Sequence, residues 1–402
     1  MSEPSLLSYP CLQSILQYFE VNHRILLARK IPSIKYAEKA VPLNTRGSIT
    51  LKSHSTRINR FKYSLQVIRY DPEERKIKEF GSTSYSKITC DLDGDGNPIP
   101  GPPLTPGDFD FGGEEKMEKF SDSLSLDSYV MENGKLAWKK KEYQYFLKFS
   151  VQEHGEKGIY EYMEYHQDFH IAVKYLNSKL FQSRPPITLG YLHVEPERYL
   201  RLPANLKFDK CYLEVNNIHT GLETLRPLLT SSSFPINTVL TNKITVADHE
   251  FLKGVKQLYI ENKDQKEFPP LPYKEVRFDY GINDREVFKI LMDWKSGKRE
   301  IGTLCTFGLN IKREWTTKIN FLMRLEGAEL GQVPEIRSTS LPHCVIFSIN
   351  DASEIIIYCT QEDMSENPEK AKKVSENLDH YDEYIFYSME MRIEPKGFAT
   401  RI

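Results

Sequence analysis

The 402-residue sequence has little net charge and no long hydrophobic run, and both features narrow the possible classes of protein. Its 54 basic and 56 acidic side chains leave a formal net charge of -2, which argues against a protein that binds nucleic acid by neutralising phosphates. No segment approaches the roughly 20 apolar residues of a membrane-spanning helix, and the first residues lack the features of a secretory signal. We therefore expect no nucleic-acid partner, no membrane partner, and a cytoplasmic or nuclear location.

Sequence signatures of common catalytic and metal-binding sites are also missing. The six cysteines are scattered and include no CxxC pair, so neither a zinc ribbon nor a thioredoxin-type site is predicted. There is no P-loop, no glycine-rich dinucleotide motif after a strand, and no G-x-S-x-G nucleophile elbow. The sequence therefore gives no positive indication of an enzyme.

Two short patterns resemble metal sites, but both are incomplete. Residues 91–96 begin like a calcium-binding loop, yet a proline stands at the twelfth position, where the loop needs a bidentate glutamate. His166 and His170 lie one helical turn apart, but no third ligand is placed nearby. We predict no metal and no cofactor. An enzyme would require a pocket that joins His166, Asp168 and a distant histidine such as His219.

The most informative stretch is the first apolar segment, residues 7–34 (LSYPCLQSILQYFEVNHRILLARKIPSI). Apolar residues recur there at intervals of three and four, which is the spacing of one helical face. The pattern predicts two short helices with a break near Asn22, the second ended by Pro32, and a third short helix before Pro42. Helices this short cannot bury a core alone, so their apolar stripe must pack on the rest of the chain or on a partner.

Residues 44–151 are predicted to be rich in antiparallel strands. Apolar and polar residues alternate along 47–51 and 61–70, and a second strand-rich stretch follows at 135–151. Between these stretches lies a segment rich in proline, glycine and aspartate, residues 91–127. Because proline cannot donate to a strand ladder and glycine raises chain entropy, we expect a long exposed loop there.

Residues 152–402 alternate short strands with helical stretches. Helices are predicted at 165–181 and 284–298, the second with Asn283 as N-cap and with Val287, Phe288, Ile290, Leu291 and Trp294 as its buried stripe. Strand–helix units recurring roughly every 20–30 residues favour either an irregular leucine-rich-repeat-like array or a crossover α/β sheet. We therefore predict an α+β fold with mixed α/β content and C-terminal strands. Its expected parts are a helical segment (1–43), a strand-rich region (44–151) and an α/β domain (152–402).

The N-terminal helices resemble an F-box, the segment by which substrate receptors bind the Skp1 adaptor of a cullin–RING ubiquitin ligase. The resemblance rests on Tyr9-Pro10, Ile15-Leu16, Leu26-Leu27 and Arg29-Lys30. The spacing from Pro10 to Ile15 is shorter than in the usual pattern, and Tyr9 stands in place of a leucine.

Over most of its length the chain resembles the nematode F-box C proteins, in which an F-box-like start precedes a large domain of unknown function. The segments that carry this resemblance are LSYPCLQSILQYFE (7–20), ARKIPSI (28–34), GNPIPGPPLTPGD (96–108), HIAVKYL (170–176), YLRLPANLKF (199–208), HTGLETLRPLL (219–229), SSSFPI (231–236), LMDWKSGKREIGTLCTFGL (291–309) and SEIIIYCT (353–360). The resemblance implies an adaptor without catalytic residues, whose C-terminal domain binds a protein target that the resemblance does not identify.

The implied partner is a Skp1-like adaptor within a cullin complex. The residues expected to face Skp1 are Pro10, Leu12, Ile15, Leu16, Phe19 and Leu26. The alternative is a non-catalytic protein-interaction module whose F-box-like helices are purely structural. Exposure separates these hypotheses, because a free apolar stripe favours docking and a buried stripe favours the structural role.

Overall fold

The computed structural model describes residues 9–43, 45–72, 75–78, 91–93, 98–99, 103–112, 129–132, 135–138, 144–166, 168–195, 198–209, 212–217, 223–243, 254–260, 273–278, 283–297, 299–309, 312–333, 343–362 and 386–402. The chain forms two compact units, residues 1–214 with 220–234, and residues 215–219 with 235–402. The sequence-based division into three domains, with boundaries after residues 43 and 151, stays a prediction.

The first unit combines short N-terminal helices, one longer helix and many strands. Its helices are α1 (Tyr9–Leu16), α2 (Val21–Lys30), α3 (Lys35–Ala40) and α4 (Phe169–Phe181), with 3-10 turns at Pro32–Ile34, Arg226–Leu228 and Ser231–Ser233. Its strands are β1 (Thr45–Leu51), β2 (Ser55–Ile58), β3 (Phe61–Asp71), β4 (Lys76–Lys78), β5 (Asp91–Leu92), β6 (Pro98–Ile99), β7 (Asp108–Asp110), β8 (Tyr129–Glu132), β9 (Lys135–Trp138), β10 (Gln144–Glu153), β11 (Ile159–Glu164), β12 (Ile187–Val194), β13 (Tyr199–Arg201) and β14 (Phe208–Asp209). Strand β15 (Tyr212–Asn217) runs from the first unit into the second.

The main sheet of the first unit has the strand order β14–β12–β1–β2–β3–β10–β11. Strand β12 pairs in parallel with β1 and β14, and the other neighbours are antiparallel. The longest of these ladders joins residues 61–70 of β3 to residues 144–153 of β10. Leu65 and Val67 are buried on one face of β3, whereas Ser64 points to the other face and is half-buried. The alternation in the sequence thus produces a sheet with one apolar face.

Helix α4 covers this apolar face. Phe169 and Val173 pack in one cluster with Leu65 and Val67 of β3 and with Leu147 of β10. Phe169 and Val173 are four positions apart along α4 and therefore lie on one side of the helix. The helix predicted over residues 165–181 is therefore present from Phe169 to Phe181.

Part of the segment predicted as an exposed loop is packed into the fold. Asp91 and Leu92 are only 3% and 6% exposed, and they form β5. The carboxylate of Asp108 in β7 is buried and accepts hydrogen bonds from Arg201 at 2.7 Å and from Lys174 at 3.1 Å. The exposed-loop prediction is wrong for these residues, because their partners are distant in sequence and local composition does not reveal them.

The turn that leads into β7 requires a glycine. Gly107 has a φ of +93°, and a Cβ at this position would lie 2.4 Å from the carbonyl oxygen of Leu202. The turn is closed by Thr105, whose backbone N–H and hydroxyl donate to Asp108 Oδ2 at 2.8 and 2.7 Å. The short sequence TPGD therefore encodes a fixed turn within a segment of otherwise loop-like composition.

The second unit contains a mixed sheet and, in its described part, two α-helices. The helices are α5 (Asp284–Lys295) and α6 (Lys312–Leu322). The strands are β16 (Thr238–Lys243), β17 (Gln257–Ile260), β18 (Glu275–Phe278), β19 (Leu304–Leu309), β20 (Ala328–Gln332), β21 (His343–Ser348), β22 (Ser353–Glu362), β23 (Phe386–Pro395) and β24 (Thr400–Arg401).

Strands β16 to β19 pair in parallel and in sequence order, with Gln257, Glu275 and Leu304 aligned across three of them. From β19 the sheet continues antiparallel in the order β23–β22–β21–β20–β24. Parallel strands in sequence order occur both in repeat arrays and in crossover α/β sheets. Both interpretations of this region therefore stay open.

Helix α5 connects β18 to β19 and is capped as predicted. The side chain of Asn283 accepts a hydrogen bond from the backbone N–H three residues on at 3.0 Å, and Gly297 follows the helix with a φ of +76°. Its buried residues include Val287, Leu291 and Trp294. Phe288 is 40% exposed, so its predicted place in the buried stripe is corrected. It is the neighbour of Val287, and one step along a helix turns the side chain by about 100°.

A buried carboxylate fixes the C-terminal strands. Glu354 is 0% exposed, and its Oε2 accepts a hydrogen bond from Arg401 at 2.9 Å. Its Oε1 accepts from the backbone N–H groups of Gly397 and Ala399 at 3.2 and 3.4 Å. The chain therefore returns to the sheet at β24 through a charge-assisted contact. The fold class predicted from the sequence, α+β with mixed α/β content and a short N-terminal helical region, is confirmed.

The buried Asp108 carboxylate makes a testable contribution to stability. Burial raises its pKa, but hydrogen bonds from Thr105, Lys174 and Arg201 outweigh burial and hold the pKa below its ordinary value. We expect Asp108→Asn to lower the free energy of unfolding by about 3–5 kcal/mol at pH 7, because the cations lose their buried partner. The ion-pair stabilisation is present above the ordinary carboxyl pKa of about 4 and is lost as the pH falls through the lower pKa of the folded state.

Urea denaturation of the wild type and the variant between pH 7 and pH 3 measures this difference. Asp110→Asn is the matched control, because its carboxylate is about one-third exposed and lies 3.5 Å from Arg198. A loss for Asp108→Asn that stays constant over the whole pH range would contradict the ion-pair explanation.

Candidate partner-binding surface

The break between the first two helices is set by Glu20. Its carboxylate accepts hydrogen bonds from the backbone N–H groups of Asn22 and His23 at 2.7 and 3.1 Å and so caps α2. The break therefore lies at residues 17–20, and Asn22, where it was predicted, belongs to the first turn of α2. Helix α2 ends before Pro32, as the sequence predicts.

One side of α1 faces a small apolar core shared by the N-terminal helices. Leu16 is 1% exposed and packs with Ala37 of α3 and with Val41. Leu12 and Leu27 are partly buried against the same cluster. Leu12 and Leu16 are four residues apart, so they point to the same side of the helix. This side of α1 therefore packs against other residues of the same chain.

Several other apolar residues of α1 and of the turn after it are exposed. Ile15 and Phe19 are 43% and 45% exposed, and Pro10 is also exposed. Tyr9 and Tyr18 are 51% and 91% exposed. These five residues form what we call the N-terminal apolar surface. Large apolar residues exposed within so short a segment point to a protein-binding site.

The structure divides the six residues that were expected to face Skp1. Pro10, Ile15 and Phe19 are exposed, Leu12 and Leu26 are half-buried, and Leu16 is buried. The predicted orientation of Leu16 is therefore corrected, because this side chain fills the core between α1 and α3. The sequence prediction missed Tyr9 and Tyr18. The sequence signal for these two residues was the presence of aromatic side chains next to the apolar stripe of a helix.

A buried ionic network anchors these helices. Glu38 of α3 accepts a hydrogen bond from Arg24 of α2 at 3.1 Å and another from Arg184, just after α4, at 2.7 Å. All three side chains are no more than 3% exposed. Arg24 also donates to the carbonyl of Pro42 at 3.2 Å, and Arg184 donates to that of Leu180 at 2.7 Å. A carboxylate shared by two guanidinium groups leaves little freedom for the helices to reorient.

A second contact joins α2 to the main sheet through Asn22. Its amide nitrogen donates to the carbonyl of Ile58 in β2 at 3.0 Å, and its amide oxygen accepts from the hydroxyl of Tyr63 in β3 at 3.0 Å. Burial raises the pKa of Tyr63, so its hydroxyl keeps the proton that it donates. Burial also lowers the pKa of Arg24, while the charge of Glu38 opposes that shift. The N-terminal helices are thus an integral part of the first unit.

The residues named for the enzyme hypothesis do not form one group within the described chain. His166 is exposed and lies 2.5 Å from the carboxylate of a glutamate two residues earlier. His170 Nδ1 lies 2.7 Å from Asp91 Oδ2. Asp168 stands at the N-cap position of α4, and His219 lies outside the described residues. The two histidines therefore have separate carboxylate partners.

Asp91, the first residue of the sequence that resembles a calcium-binding loop, has a structural role. Asp91 accepts hydrogen bonds from both the ring and the backbone N–H of His170, which ties β5 to the start of α4. Pro102, at the twelfth position of the turn, lies outside the described residues. Among the residues that the structure describes, no group of three or more His, Cys, Asp or Glu side chains is arranged to hold a metal ion.

Comparison with sequence families matches residues 168–311 to a domain of unknown function, DUF3557. The match begins at the N-cap of α4, ends one residue before α6, and covers well under half of the chain. It does not include the N-terminal helices. No curated protein and no solved structure matches the chain. In the described ranges, every helix is too short or too polar to cross a membrane.

Adjacent residues of α1 should respond very differently to truncation. We expect Leu16→Ala to lower the free energy of unfolding by about 2–5 kcal/mol, because it leaves a cavity between α1 and α3. Ile15→Ala should change it by no more than about 0.5 kcal/mol, because Ile15 is 43% exposed and is not part of the buried cluster around Leu16. Urea denaturation measures both values. Equal losses for the two variants would show that the assigned helix orientation is wrong.

The buried network predicts a large effect of neutralising Glu38. Glu38→Gln should destabilise the protein by about 3–5 kcal/mol, because two buried guanidinium groups lose their counter-charge. The control is Glu161→Gln, which removes a surface pair with Arg29 in which both side chains are nearly half exposed. That change should cost less than about 1 kcal/mol. Similar costs for the two variants, measured by urea denaturation, would exclude the anchoring role of Glu38.

Proposed function

We propose that the chain is an F-box-like substrate-recognition adaptor of a Skp1–cullin–RING ubiquitin ligase, related to the nematode F-box C proteins. The observation that carries this proposal is the N-terminal apolar surface. It lies on the segment whose sequence resembles an F-box, and it exposes Ile15 of α1 and Phe19 of the turn that follows. A helix that offers such a side to a groove is a recurring mode of protein recognition.

The exposed residues of this surface can supply a useful binding affinity. Burying an isoleucine- or phenylalanine-sized side chain contributes roughly 1.5–3 kcal/mol. Several such side chains can together offset the cost of association and reach about micromolar affinity. Tyr9 and Tyr18 add aromatic area, which is typical of the residues that dominate binding energy at interfaces.

The anchoring of the helices is the second support. An adaptor must hold its target in a fixed position relative to the ligase, so its docking helices need a firm attachment to its body. Glu38, Arg24 and Arg184 provide one attachment, and Asn22 with Tyr63 provides another. In this proposal residues 152–402, which include the segment matching a domain of unknown function, bind the protein target.

The second candidate function is a non-catalytic protein-interaction module whose F-box-like helices are purely structural. The burial of Leu16 favours it, because part of the apolar stripe is already used inside the protein. The short spacing between Pro10 and Ile15 also favours it. In this alternative the N-terminal apolar surface has no Skp1 partner.

Skp1 binding distinguishes the two functions. The full-length chain should co-purify with co-expressed Skp1, and Ile15→Asp should reduce this binding at least tenfold, because a carboxylate would be buried in an apolar groove. Phe19→Asp should act in the same way. Binding is measured by pull-down and by calorimetry with purified Skp1.

Ile171→Asp on α4 is the matched control, because this isoleucine is 45% exposed and lies outside the N-terminal apolar surface. It should leave Skp1 binding unchanged. Leu16→Asp is unsuitable as a test because it would disturb the core. A wild-type chain that does not bind Skp1 would exclude the adaptor function and leave the structural alternative.

A further inference from the structure

Among the residues that the structure describes, strand β11 forms one edge of the main sheet of the first unit, and no strand pairs with its outer side. The backbone N–H of Tyr165 donates to the carbonyl of Tyr145, which fixes the hydrogen-bonding phase of the antiparallel pair β10–β11. Hydrogen-bonded pairs alternate along such a ladder. Residues 159, 161 and 163 therefore bond to β10, whereas the N–H and C=O groups of Tyr160 and Tyr162 point away from it.

The pairing of β10 with β3, on the side of β10 away from β11, supports the same assignment of hydrogen-bonded residues. His154 N–H donates to the carbonyl of Arg60, so the even-numbered residues of β10 bond to β3 and the odd-numbered ones bond to β11. In the described part of the chain, β10 is the only strand paired with β11. The outer edge formed by Tyr160 and Tyr162 is open to solvent.

The sequence of β11 has none of the residues that usually protect an exposed strand edge. All six residues of β11 are exposed, and Ile159, Tyr160, Tyr162 and Met163 are 45–62% exposed. Proteins commonly block such edges with proline, lysine, a bulge or a covering loop. The sequence of β11, IYEYME, contains neither proline nor lysine. The edge is therefore a template onto which a further strand can be added.

The side chains along the edge indicate the chemistry of that added strand. Ile159, Glu161 and Met163 alternate along the face of the sheet that also carries Phe149. The residue opposite Glu161 on an added antiparallel strand would form a non-hydrogen-bonded pair, in which side chains approach most closely. Glu161 and Glu164 give β11 two carboxylates and no cation of its own. A basic residue opposite Glu161 would be complementary.

The cation now beside Glu161 does not block this site. Arg29, at the end of α2, forms a surface pair with Glu161, and its guanidinium lies 5.5 Å from the ring centre of Phe149. Both partners of the ion pair are nearly half exposed, so the pair contributes little. A carboxylate can accept several hydrogen bonds and can therefore be shared by a second cation.

We propose that the outer edge of β11 binds an extended segment of a partner protein by strand addition, with a basic residue opposite Glu161 and apolar residues opposite Ile159 and Met163. A second copy of this chain is the competing occupant. A contact through one six-residue strand would fall well below the about 800 Å² per partner of a stable interface. It suits the recognition of a peptide segment. The inference deepens the target-binding part of the proposed function, but it does not depend on Skp1.

The probe is a fluorescent seven-residue peptide with valine, lysine and valine at alternate positions and threonine between and around them. Fluorescence anisotropy with the full-length chain should show saturable binding. A peptide with glutamate in place of lysine should bind at least tenfold more weakly. A peptide N-methylated on the bonds that face β11 should not bind, because its donors are removed.

Protein variants test the same contacts from the other side. Tyr162→Pro removes an outward N–H on an edge strand, where proline is tolerated, and should abolish binding, whereas Tyr162→Ala should retain it. Glu161→Lys should reverse the preference in favour of the glutamate peptide. Glu156→Lys, an exposed charge change beyond the strand, is the matched control and should bind as the wild type does.

Absence of saturable binding to the wild type would overturn the proposal, as would equal binding to Tyr162→Pro or to the N-methylated peptide. A dimer of the wild type that becomes a monomer in Tyr162→Pro, without peptide binding, would assign the edge to a second copy instead. Because Skp1 is absent from these assays, their failure leaves the docking of the N-terminal helices untouched. Failure of Skp1 binding leaves this edge untouched in the same way.

Discussion

The carboxylate of Glu38 lies between the guanidinium groups of Arg24 and Arg184 in a region that water hardly reaches. A buried charge is costly unless it is paired and hydrogen-bonded, and this one is paired twice. The requirement for that geometry constrains the angle of α2 and α3 to each other and to the end of α4. The position of α1 follows, because Leu16 packs against Ala37 of α3, the helix that carries Glu38.

This constraint explains how a segment with weak helical stability can present an exposed apolar surface. Helix α1 has eight residues, and isolated helices shorter than about 12 residues are marginal in water. Its inward side, with Leu12 and Leu16, supplies the packing that keeps it folded. Ile15 of α1, and Phe19 in the turn after it, are exposed and are therefore available for a partner. The same short helix is apolar on two sides because the two sides have different roles.

The fold was predictable where local pattern and tertiary environment agree. Alternation along β3 and β10 marks strands with one buried face, and the cap at Asn283 marks the start of α5, because both signals act within a few residues. Residues such as Asp91 and Asp108 lie in a segment whose composition resembles an open loop. Their burial depends on His170, Lys174 and Arg201, which are distant in sequence.

The candidate site was predictable only in part for a similar reason. Spacing identifies the apolar side of a helix when the other side is polar, but α1 carries apolar residues on more than one side. The choice between Leu16 and Ile15 as the inward residue is made by Ala37 and Val41, which no periodicity within α1 can reveal. The open edge of β11 was hidden too, because alternation identifies a strand but not its place in a sheet.

The N-terminal apolar surface and the outer edge of β11 belong to the same compact unit, and Arg29 connects them. Arg29 lies in the last turn of α2 and contacts Glu161 on the edge strand β11. The first turn of α2 is fixed to the sheet by Asn22. A segment added to β11 would therefore lie beside the helices that carry the N-terminal apolar surface. Strands β10 and β3 link the edge strand β11 to the residues that anchor the helices. If both surfaces are occupied as proposed, the sheet therefore fixes the distance between the target segment and Skp1. A rigid offset of this kind is what an adaptor requires, and it arises here from hydrogen-bonded strands and a buried ionic network.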